Sequence, residues 1–248
     1  MDGFRLLMEF HIEDERQGPG GSAETKRAIK SAGLNKSEPL RIADIGCGTG
    51  SSTLVLAQEL NAEIIAVDLF PEFLEVLESR AQKAGLSNIT TNSASMDDLT
   101  FEPEALDVIW SEGAIYNIGF KNGISLWKRF LKPGGVLAVT EITWLTDDRP
   151  KEINDYWSSE YPEIATSAQK IKVLEQEGFK LLDYFPLPTR CWTENYYKPL
   201  QDRFASFLGK QGRSDKALQL IEMEKKEIEL YEKFKDYYSY GFYIASKM

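Results

Sequence analysis

The sequence contains few of the residues that bind metals or form disulfide bonds. Its 248 residues include one histidine, His11, and two cysteines, Cys47 and Cys191, which do not form a C-x-x-C pair. A metal site such as that of zinc needs several such ligands close together, so we predict none. Neighbouring acids such as Asp97 and Asp98 do not change this, because adjacent side chains usually point apart. We expect both cysteines to be reduced and His11 to be a surface or packing residue.

The sequence also lacks a long apolar segment and an excess of positive charge. No run of about 18 apolar residues occurs, and the first twenty residues carry Glu9, Glu13, Asp14 and Glu15 instead of a signal-peptide core. We therefore predict a cytoplasmic protein without a membrane span. The net charge is −10, without a dense Lys/Arg cluster, and such a surface repels phosphate backbones, which argues against nucleic acid as a partner. The 42% of hydrophobic residues can nevertheless form a sizeable core.

Apolar runs typical of buried strands alternate with helical segments along most of the chain. Such alternation indicates a parallel sheet with helices on both faces, so we predict an α/β protein with a doubly wound, seven-stranded sheet. The predicted strands are 39–43, 64–68, 88–91, 106–111, 136–140, 179–185 and 238–245. The predicted helices are 51–60, 71–84, 124–131, 167–178 and 215–235, preceded by a helical N-terminal region with a loop at 16–22.

The most informative segment is a glycine-rich turn between the first strand and the helix after it. This turn reads Asp44-Ile45-Gly46-Cys47-Gly48-Thr49-Gly50. Glycines let the backbone bend sharply and approach a ligand closely, and the N–H groups that open the helix face a polar or anionic group. The dinucleotide fingerprint G-x-G-x-x-G needs a third glycine where Ser51 stands, which disfavours an NAD-dependent oxidoreductase. The pattern D-x-G-x-G-x-G instead resembles motif I of the class I S-adenosylmethionine (SAM) methyltransferases.

This resemblance extends over roughly residues 38–187 and the last strand, and is closest to small-molecule methyltransferases of the ubiquinone/menaquinone-biosynthesis type. It implies a Rossmann-like, mostly parallel sheet with an antiparallel last strand. It also implies SAM as cofactor and S-adenosylhomocysteine (SAH) as product. Asp68 ends the second strand, 24 residues after Asp44, and an acid about 20 residues beyond a glycine turn binds ribose hydroxyls in nucleotide folds. We expect Asp68 to bind the ribose and Leu69 to lie against the adenine.

Further cofactor contacts are implied by the resemblance. Asp97 should accept a hydrogen bond from the adenine amino group, and Met96 should offer its backbone N–H and side chain to the ring. The loop containing Gln17 and Gly18 should close over the methionine end. The predicted cofactor-binding residues are Gln17, Gly18, Asp44, Gly46, Gly48, Gly50, Asp68, Leu69, Met96, Asp97 and Glu112.

The segment after the fourth strand should face the methyl group, because ligands bind at the carboxyl ends of parallel strands. Two candidate catalytic residues lie there. Glu112 can accept hydrogen bonds from the cofactor ammonium or act as a base, and Tyr116 can orient an acceptor. Transfer from a sulfonium depends mainly on in-line positioning in a water-poor pocket, which contributes about 7–11 kcal/mol. A base matters only if the acceptor must lose a proton.

The remaining helices are predicted to cover this site within a single domain, 1–248. Residues 1–36 should form an N-terminal helical lid and 190–236 a helical substrate lid. The cofactor-binding core should comprise 37–189 and 237–248. Aromatic side chains beside the second lid can exclude water and hold a flat or cationic substrate. The candidate substrate residues among them are Trp144, Trp192 and Tyr197.

We therefore predict a SAM-dependent methyltransferase that transfers a methyl group to a small organic molecule by in-line displacement. The main alternative is a non-catalytic SAM-binding module that regulates or pairs with another protein. A nucleic-acid acceptor is disfavoured by the net charge of −10. Carbon, nitrogen, oxygen and sulfur all stay open as acceptor atoms. The oligomeric state is also left open, with a homodimer as one option.

Overall fold

A computed structural model describes residues 2–248, with side chains from Arg5 onward. The strands are β1 Leu40–Ile45, β2 Ala62–Asp68, β3 Ile89–Ser93, β4 Leu106–Ser111, β5 Leu131–Trp144, β6 Ala165–Thr166, β7 Phe179–Pro186 and β8 Tyr238–Lys247. The helices are α1 Asp2–His11, α2 Ser22–Ser31, α3 Ser51–Glu59, α4 Pro71–Lys83, α5 Phe120–Trp127, α6 Lys151–Glu160, α7 Ser167–Gln176, α8 Arg190–Trp192, α9 Lys198–Lys210 and α10 Asp215–Phe234. Short 3₁₀ segments span Ile115–Ile118 and Lys128–Phe130, and a π-helical segment, Thr193–Tyr197, joins α8 to α9.

The strands form one sheet in the order β3-β2-β1-β4-β5-β8-β7. Strands β1 to β5 are parallel, and β8 lies antiparallel to both β5 and β7. The predicted seven-stranded, mostly parallel sheet with an antiparallel last strand is therefore confirmed. The two-residue strand β6, which pairs with the end of β5, was not predicted. Because the strand order reverses between β1 and β4, a crevice opens at their carboxyl ends.

Other elements also differ from the sequence prediction. Strand β5 spans Leu131–Trp144 rather than 136–140, and helix α5 spans Phe120–Trp127 rather than 124–131. Helix α5 includes Gly123, where a Cβ would lie only 2.6 Å from Ile115 Cγ1. Tertiary packing thus outweighs the low helix propensity of glycine. Helix α6 was not predicted, since Ile153 is its one buried side chain and its apolar pattern is weak.

The sheet is covered on both faces. One face packs against α1, α2, α3, α9 and α10, and the other against α5 and α7. His11 is buried and its ring stacks on Tyr196 at 6.3 Å, which agrees with a packing residue. Cys47 and Cys191 are free and buried, as expected for reduced thiols. No helix within residues 2–248 is both long and apolar enough to cross a membrane.

Candidate functional site

A cavity of about 460 Å³ opens at the carboxyl ends of β1 to β4, where the strand order reverses. This volume lies within the range of about 300–1,000 Å³ typical of small-molecule sites. The cavity is bordered by the glycine turn, by the segments that follow β2, β3 and β4, and by the loop between α1 and α2. The predicted site residues that line it are Gln17, Gly18, Gly46, Gly48, Asp68, Leu69, Met96, Asp97, Glu112 and Tyr116.

The glycine turn needs residues without side chains for different reasons at different positions. Gly46 has a φ of +72°, and a Cβ on it would lie 2.3 Å from the Cβ of Ala114 in the segment after β4. Gly50 has a φ of +91° and approaches Leu77 in the same way, but it does not line the cavity. Gly46 therefore shapes the cavity, whereas Gly50 lets α3 pack against α4.

Asp44 lies behind the turn and does not line the cavity. Its Oδ2 accepts hydrogen bonds from Ser52 Oγ at 2.9 Å and from Thr53 Oγ1 at 2.6 Å. Burial raises the pKa of this carboxyl to about 7, while the two hydroxyls oppose the shift. Asp44 therefore joins β1 to the start of α3 and supports the turn from within the protein.

Asp68 ends β2 and faces the cavity. Its Oδ2 accepts the backbone N–H of Gly48 at 2.8 Å, and its Oδ1 accepts that of Phe70 at 3.0 Å. Burial raises the pKa of the carboxyl, and these backbone hydrogen bonds oppose the shift. The two oxygens of a carboxylate offer about four acceptor positions in all, so the Asp68 carboxylate keeps acceptor capacity beyond its backbone hydrogen bonds. The side chain can therefore accept a hydrogen bond from a hydroxyl group in the cavity.

One wall of the cavity can accommodate a flat ring. Leu69 is 59% exposed there, and Met96 and Phe73 also line the cavity. Trp127 Nε1 donates a hydrogen bond to the Met96 carbonyl at 2.8 Å, which fixes the segment after β3. The Asp97 carboxylate, exposed at the rim, is available as an acceptor.

Glu112 connects β4 to the N-terminal segment. Its Oε1 accepts hydrogen bonds from Thr25 Oγ1 at 2.7 Å and Trp110 Nε1 at 3.0 Å. Its Oε2 accepts one from Arg16 Nη1 at 3.1 Å. The second guanidinium nitrogen, Arg16 Nη2, is buried without a hydrogen-bond partner in the described structure, and Arg16 lines the cavity. A carboxylate and an incompletely paired guanidinium thus stand side by side, an arrangement that suits a zwitterion.

The loop between α1 and α2 is fixed directly on the glycine turn. Gln17 Oε1 accepts the backbone N–H of Thr49 at 2.9 Å, and Gln17 Nε2 donates to Thr49 Oγ1 at 3.0 Å. Arg80 Nη1 adds a hydrogen bond to the Thr49 carbonyl at 3.0 Å. This loop is therefore an integral wall of the cavity.

Tyr116 lies in the 3₁₀ segment after β4. Its ring contacts that of Tyr161 in a T-shaped arrangement, with 6.2 Å between the ring centres. The residue lines the cavity, and about 39% of it is exposed. Tyr116 is therefore accessible to a molecule bound there.

The three candidate substrate residues do not line the cavity. Trp144 is 4% exposed beneath the Arg149 guanidinium. The ring of Trp192 stacks on Tyr231 at 4.4 Å. Tyr197 is buried but donates a hydrogen bond to another side chain. The geometry favours a packing role for the two tryptophans.

Sequence reasoning missed several cavity residues. Arg16 is the most important, and its one sequence signal is a position just before the Gly-Pro-Gly loop in an acidic segment. Others flank predicted positions and add apolar or polar lining. These residues are Cys47, Ser51, Ser52, Phe70, Phe73, Ser95, Gly113, Ala114, Asn117 and Ile118. Within the described part of the chain, no group of three or more histidine, cysteine or acidic residues is placed to hold a metal ion.

The sheet order and the cavity define a Rossmann-like methyltransferase fold. Comparison with known families finds a methyltransferase domain over residues 36–204. The chain therefore belongs to this methyltransferase domain family. The match supports the class I SAM methyltransferase resemblance without distinguishing the ubiquinone/menaquinone-like subgroup.

Curated and solved relatives agree with this assignment. The chain is 24% identical over 212 residues to phosphoethanolamine N-methyltransferase 1 of Arabidopsis thaliana, a match that covers 85% of this chain and 37% of the relative. Across three curated relatives that it matches, the chain spans between 37% and 54% of their length. A SAM-dependent methyltransferase from Geobacter sulfurreducens, crystallised with SAH, shares the fold with a TM-score of 0.85, 14% identity and 98% coverage of each chain.

The same fold also occurs in a protein described by a different reaction. The crystal structure of the [4+2]-cyclase SpnF aligns with a TM-score of 0.73 and 21% identity, covering 91% of this chain and 80% of that chain. The fold alone therefore does not fix the reaction, and the argument for a reaction must come from the site.

Proposed function

We propose that this protein is a SAM-dependent methyltransferase that acts on a small organic molecule. The observation that carries the proposal is one cavity in which a diol-binding carboxylate, a flat apolar wall and a zwitterion-binding pair occur together. Asp68, the Leu69–Met96 wall and the Arg16–Glu112 pair supply these three features. They match the ribose, the adenine and the amino-acid tail of SAM.

The residues of the cavity suit this cofactor chemically. Asp68 would bind the ribose hydroxyls, and Asp97 with Met96 would bind the adenine. The buried, unpartnered Nη2 of Arg16 would donate to the cofactor carboxylate, and Glu112 would accept from its ammonium. When bound, SAM supplies a methyl group on a positively charged sulfur. Gly46 and Gly48 carry no side chain, so the turn next to Gln17 would leave space for the amino-acid tail of the cofactor.

Catalysis in this proposal depends on positioning and on the exclusion of water. Tyr116 would orient the acceptor at the far side of the cavity. Glu112 already accepts three hydrogen bonds, one of them from a guanidinium, so we assign it to cofactor binding rather than to proton transfer. Positioning of this kind contributes roughly 7–11 kcal/mol to a bimolecular reaction.

We further propose the domain arrangement of one domain, 1–248, with helical covers at 1–36 and 190–236. Contacts between the two covers support it. Asn195 Nδ2 donates to the Gly20 carbonyl at 2.7 Å, and Arg203 Nη2 donates to the Phe10 carbonyl at 2.8 Å. The covers are thus joined to each other over the core.

The proposal extends to partners and location. The net charge of −10 favours a small acceptor over nucleic acid. The similarity to a phosphoethanolamine N-methyltransferase also favours a small acceptor. We propose a cytoplasmic enzyme, and a homodimer is an option that light scattering or analytical ultracentrifugation would test.

Calorimetric titration with SAM and SAH tests the cofactor assignment. We expect saturable binding of one molecule per chain. Absence of binding at millimolar concentrations would end the proposal. Release of SAH from SAM in the presence of small acceptors then separates an enzyme from a non-catalytic SAM-binding module, because only the enzyme gives acceptor-dependent release.

A further inference from the structure

Arg80, in the last turn of α4, does not line the cavity but holds the loop that forms one of its walls. Its Nη2 donates a hydrogen bond to the Asp14 carbonyl at 2.9 Å, and its Nη1 donates to the Glu15 carbonyl at 3.2 Å. Nη1 also lies 3.0 Å from the Thr49 carbonyl and 2.7 Å from Thr49 Oγ1, in the glycine turn. One guanidinium therefore joins α4, the glycine turn and the loop between α1 and α2.

The Thr49 hydroxyl meets the same two carbonyl groups from the side of the turn. Thr49 is fully buried, and its Oγ1 lies 3.1 Å from the Asp14 carbonyl and 3.2 Å from the Glu15 carbonyl. A hydroxyl has one proton, so it cannot donate to both carbonyls at once. Backbone carbonyls turned toward the protein interior need hydrogen-bond partners, and Arg80 supplies a donor to each of them.

The geometry of the guanidinium sets Arg80 apart from the other side chains at these carbonyls. Gln17 Nε2 lies 3.3 Å from the Asp14 carbonyl, and Ser51 Oγ donates to the Glu15 carbonyl, so each of them reaches only one. The planar fork of arginine carries several donors in fixed directions, which allows one side chain to bind the carbonyls of two consecutive residues. Arg80 thus fixes the direction in which the loop leaves residue 15.

The next two residues of the loop are cavity residues. The guanidinium of Arg16 lines the cavity, and its Nη2 is buried without a partner in the described structure. Gln17 lies against the glycine turn so closely that a Cβ on Gly48 would be 2.1 Å from Gln17 Oε1. The backbone that Arg80 holds is therefore the backbone from which the proposed contacts to the amino-acid tail of the cofactor extend.

The opposite end of the cavity, proposed for the adenosine, is built by other segments. The oxygens of Asp68 accept the backbone N–H groups of Gly48 and Phe70. Trp127 Nε1 holds the Met96 carbonyl. No residue of the 14–18 loop takes part in these hydrogen bonds. A displaced loop should therefore disturb the contacts to the tail and leave those to the adenosine in place.

We propose that Arg80 is a positioning residue for the cofactor: it fixes the backbone of residues 14 and 15 on the glycine turn, so that Arg16 and Gln17 are held beside the amino-acid tail. This inference rests on the proposed SAM-binding function. Because Arg80 does not line the cavity, it acts through the two residues that it places. It thereby favours ligands with the amino-acid tail, SAM and SAH, over nucleosides without it.

Two ligands test this inference by calorimetry on the full-length protein. SAH carries the amino-acid tail, whereas 5′-methylthioadenosine carries only the adenine and the ribose. In Arg80→Gln we expect SAH to bind about fivefold to tenfold more weakly and 5′-methylthioadenosine to bind within about twofold of the unmodified protein, since only the hydrogen bonds to the tail are lost. Unchanged SAH affinity, or an equal loss for both ligands, would overturn the proposal.

Lys83→Gln is the matched control. Lys83 is an exposed residue in the same last turn of α4, so its substitution removes the same charge from the same end of the helix. We expect both ligands to bind Lys83→Gln as they bind the unmodified protein. A loss of SAH affinity equal to that in Arg80→Gln would assign the effect to helix charge and contradict the proposal.

A double variant tests whether Arg80 acts through Arg16. Residues that act through one another give losses that do not multiply. The loss of SAH affinity in Arg16→Gln/Arg80→Gln should therefore be clearly smaller than the product of the two single losses. A loss equal to that product would show that Arg80 acts independently of Arg16, as a residue that only stabilises the fold would, and would overturn the proposal.

Arg80→Lys decides the question if Arg80→Gln does not fold. A single ammonium cannot reproduce the fork that spans both carbonyls, so we expect SAH to bind at least about threefold more weakly, with unchanged affinity for 5′-methylthioadenosine. Any other result in Arg80→Lys would then contradict the proposal. SAH binding by the unmodified protein is measured first. Its absence refutes the proposed function and this inference with it, whereas normal binding without the expected ligand difference refutes only the role of Arg80.

Discussion

The cofactor cavity and the buried face of α10 hold their carboxyl groups in different ways. In the cavity, both oxygens of Asp68 accept backbone N–H groups, and Glu112 accepts three hydrogen bonds. On α10, Glu227 accepts one hydrogen bond from the Tyr197 hydroxyl, and Oε2 of Glu224 is buried without a partner in the described structure.

This difference separates a binding site from a buried helix face. The carboxylates of the cavity are held in place by hydrogen bonds, while the buried Nη2 of Arg16 is left without a partner beside them. On α10, burial raises the pKa of both Glu224 and Glu227. Changes in the cavity should therefore alter cofactor affinity, whereas changes on α10 should alter the pH dependence of stability.

The largest effect is expected from Gly46→Ala. The added methyl group would lie 2.3 Å from Ala114 Cβ, at a φ of +72° that alanine rarely adopts. We expect SAH affinity, measured by calorimetry, to fall by roughly a hundredfold or more. Gly33→Ala is the matched control, since Gly33 has a φ of +68° but open space around it. Similar losses in both variants would show that backbone strain, and not the close approach, is responsible.

The next effect concerns the ribose. Asp68→Asn keeps one acceptor oxygen and removes the charge, so we expect about tenfold weaker SAH binding, since hydrogen bonds to a charged group are worth about 1.5–3 kcal/mol. Binding of 5′-methylthioadenosine, which has the ribose but no amino-acid tail, should weaken equally. Asp98→Asn, at an exposed acid outside the cavity lining, serves as control. Normal affinity in Asp68→Asn would show that the ribose lies elsewhere.

Arg16→Gln tests the opposite end of the cavity. Loss of the guanidinium removes a donor to the cofactor carboxylate, and we expect SAH to bind about fivefold to tenfold more weakly. Affinity for 5′-methylthioadenosine should stay constant, because that compound lacks the carboxylate. A parallel loss for both ligands would assign Arg16 to loop structure instead. Arg5→Gln, at an exposed arginine, is the control.

The smallest expected effect is on the stability contributed by Glu224, on the buried face of α10. Burial, the charge of Glu227 and that of Asp14 raise the pKa of Glu224 from 4.5 to about 8. The folded state then holds this proton more tightly than the unfolded state, so the contribution of Glu224 to stability falls as pH rises from about 4.5 to 8. The charge of Glu224 in turn contributes to raising the pKa of the Tyr156 and Tyr196 hydroxyls.

Glu224→Gln should remove that decline. In urea unfolding, we expect the free energy of unfolding of the variant, relative to that of the unmodified protein, to rise from pH 5 to pH 8. Glu229→Gln, which changes an exposed glutamate on the same helix, is the control. A difference between variant and unmodified protein that is independent of pH would mean that Glu224 does not titrate in this interval.

Many of the residues that line the cavity could be predicted from sequence because they lie in local patterns directly after a strand. The turn from Gly46 to Gly50, Asp68 after β2 and the Met96–Asp97 pair after β3 each belong to a local strand-to-loop pattern. Arg16 escaped prediction because its partner, Glu112, is 96 residues away. Helix α6 escaped because Ile153 is its one buried residue.

The sequence by itself determined the alternation of strands and helices and the glycine turn, since these depend on local periodicity and on backbone conformations open mainly to glycine. Only the tertiary structure decided that Arg16 joins Glu112 and that the Tyr197 hydroxyl reaches Glu227 on α10. Such groupings arise from packing between residues far apart in the chain, and no local pattern encodes which buried charges finally meet.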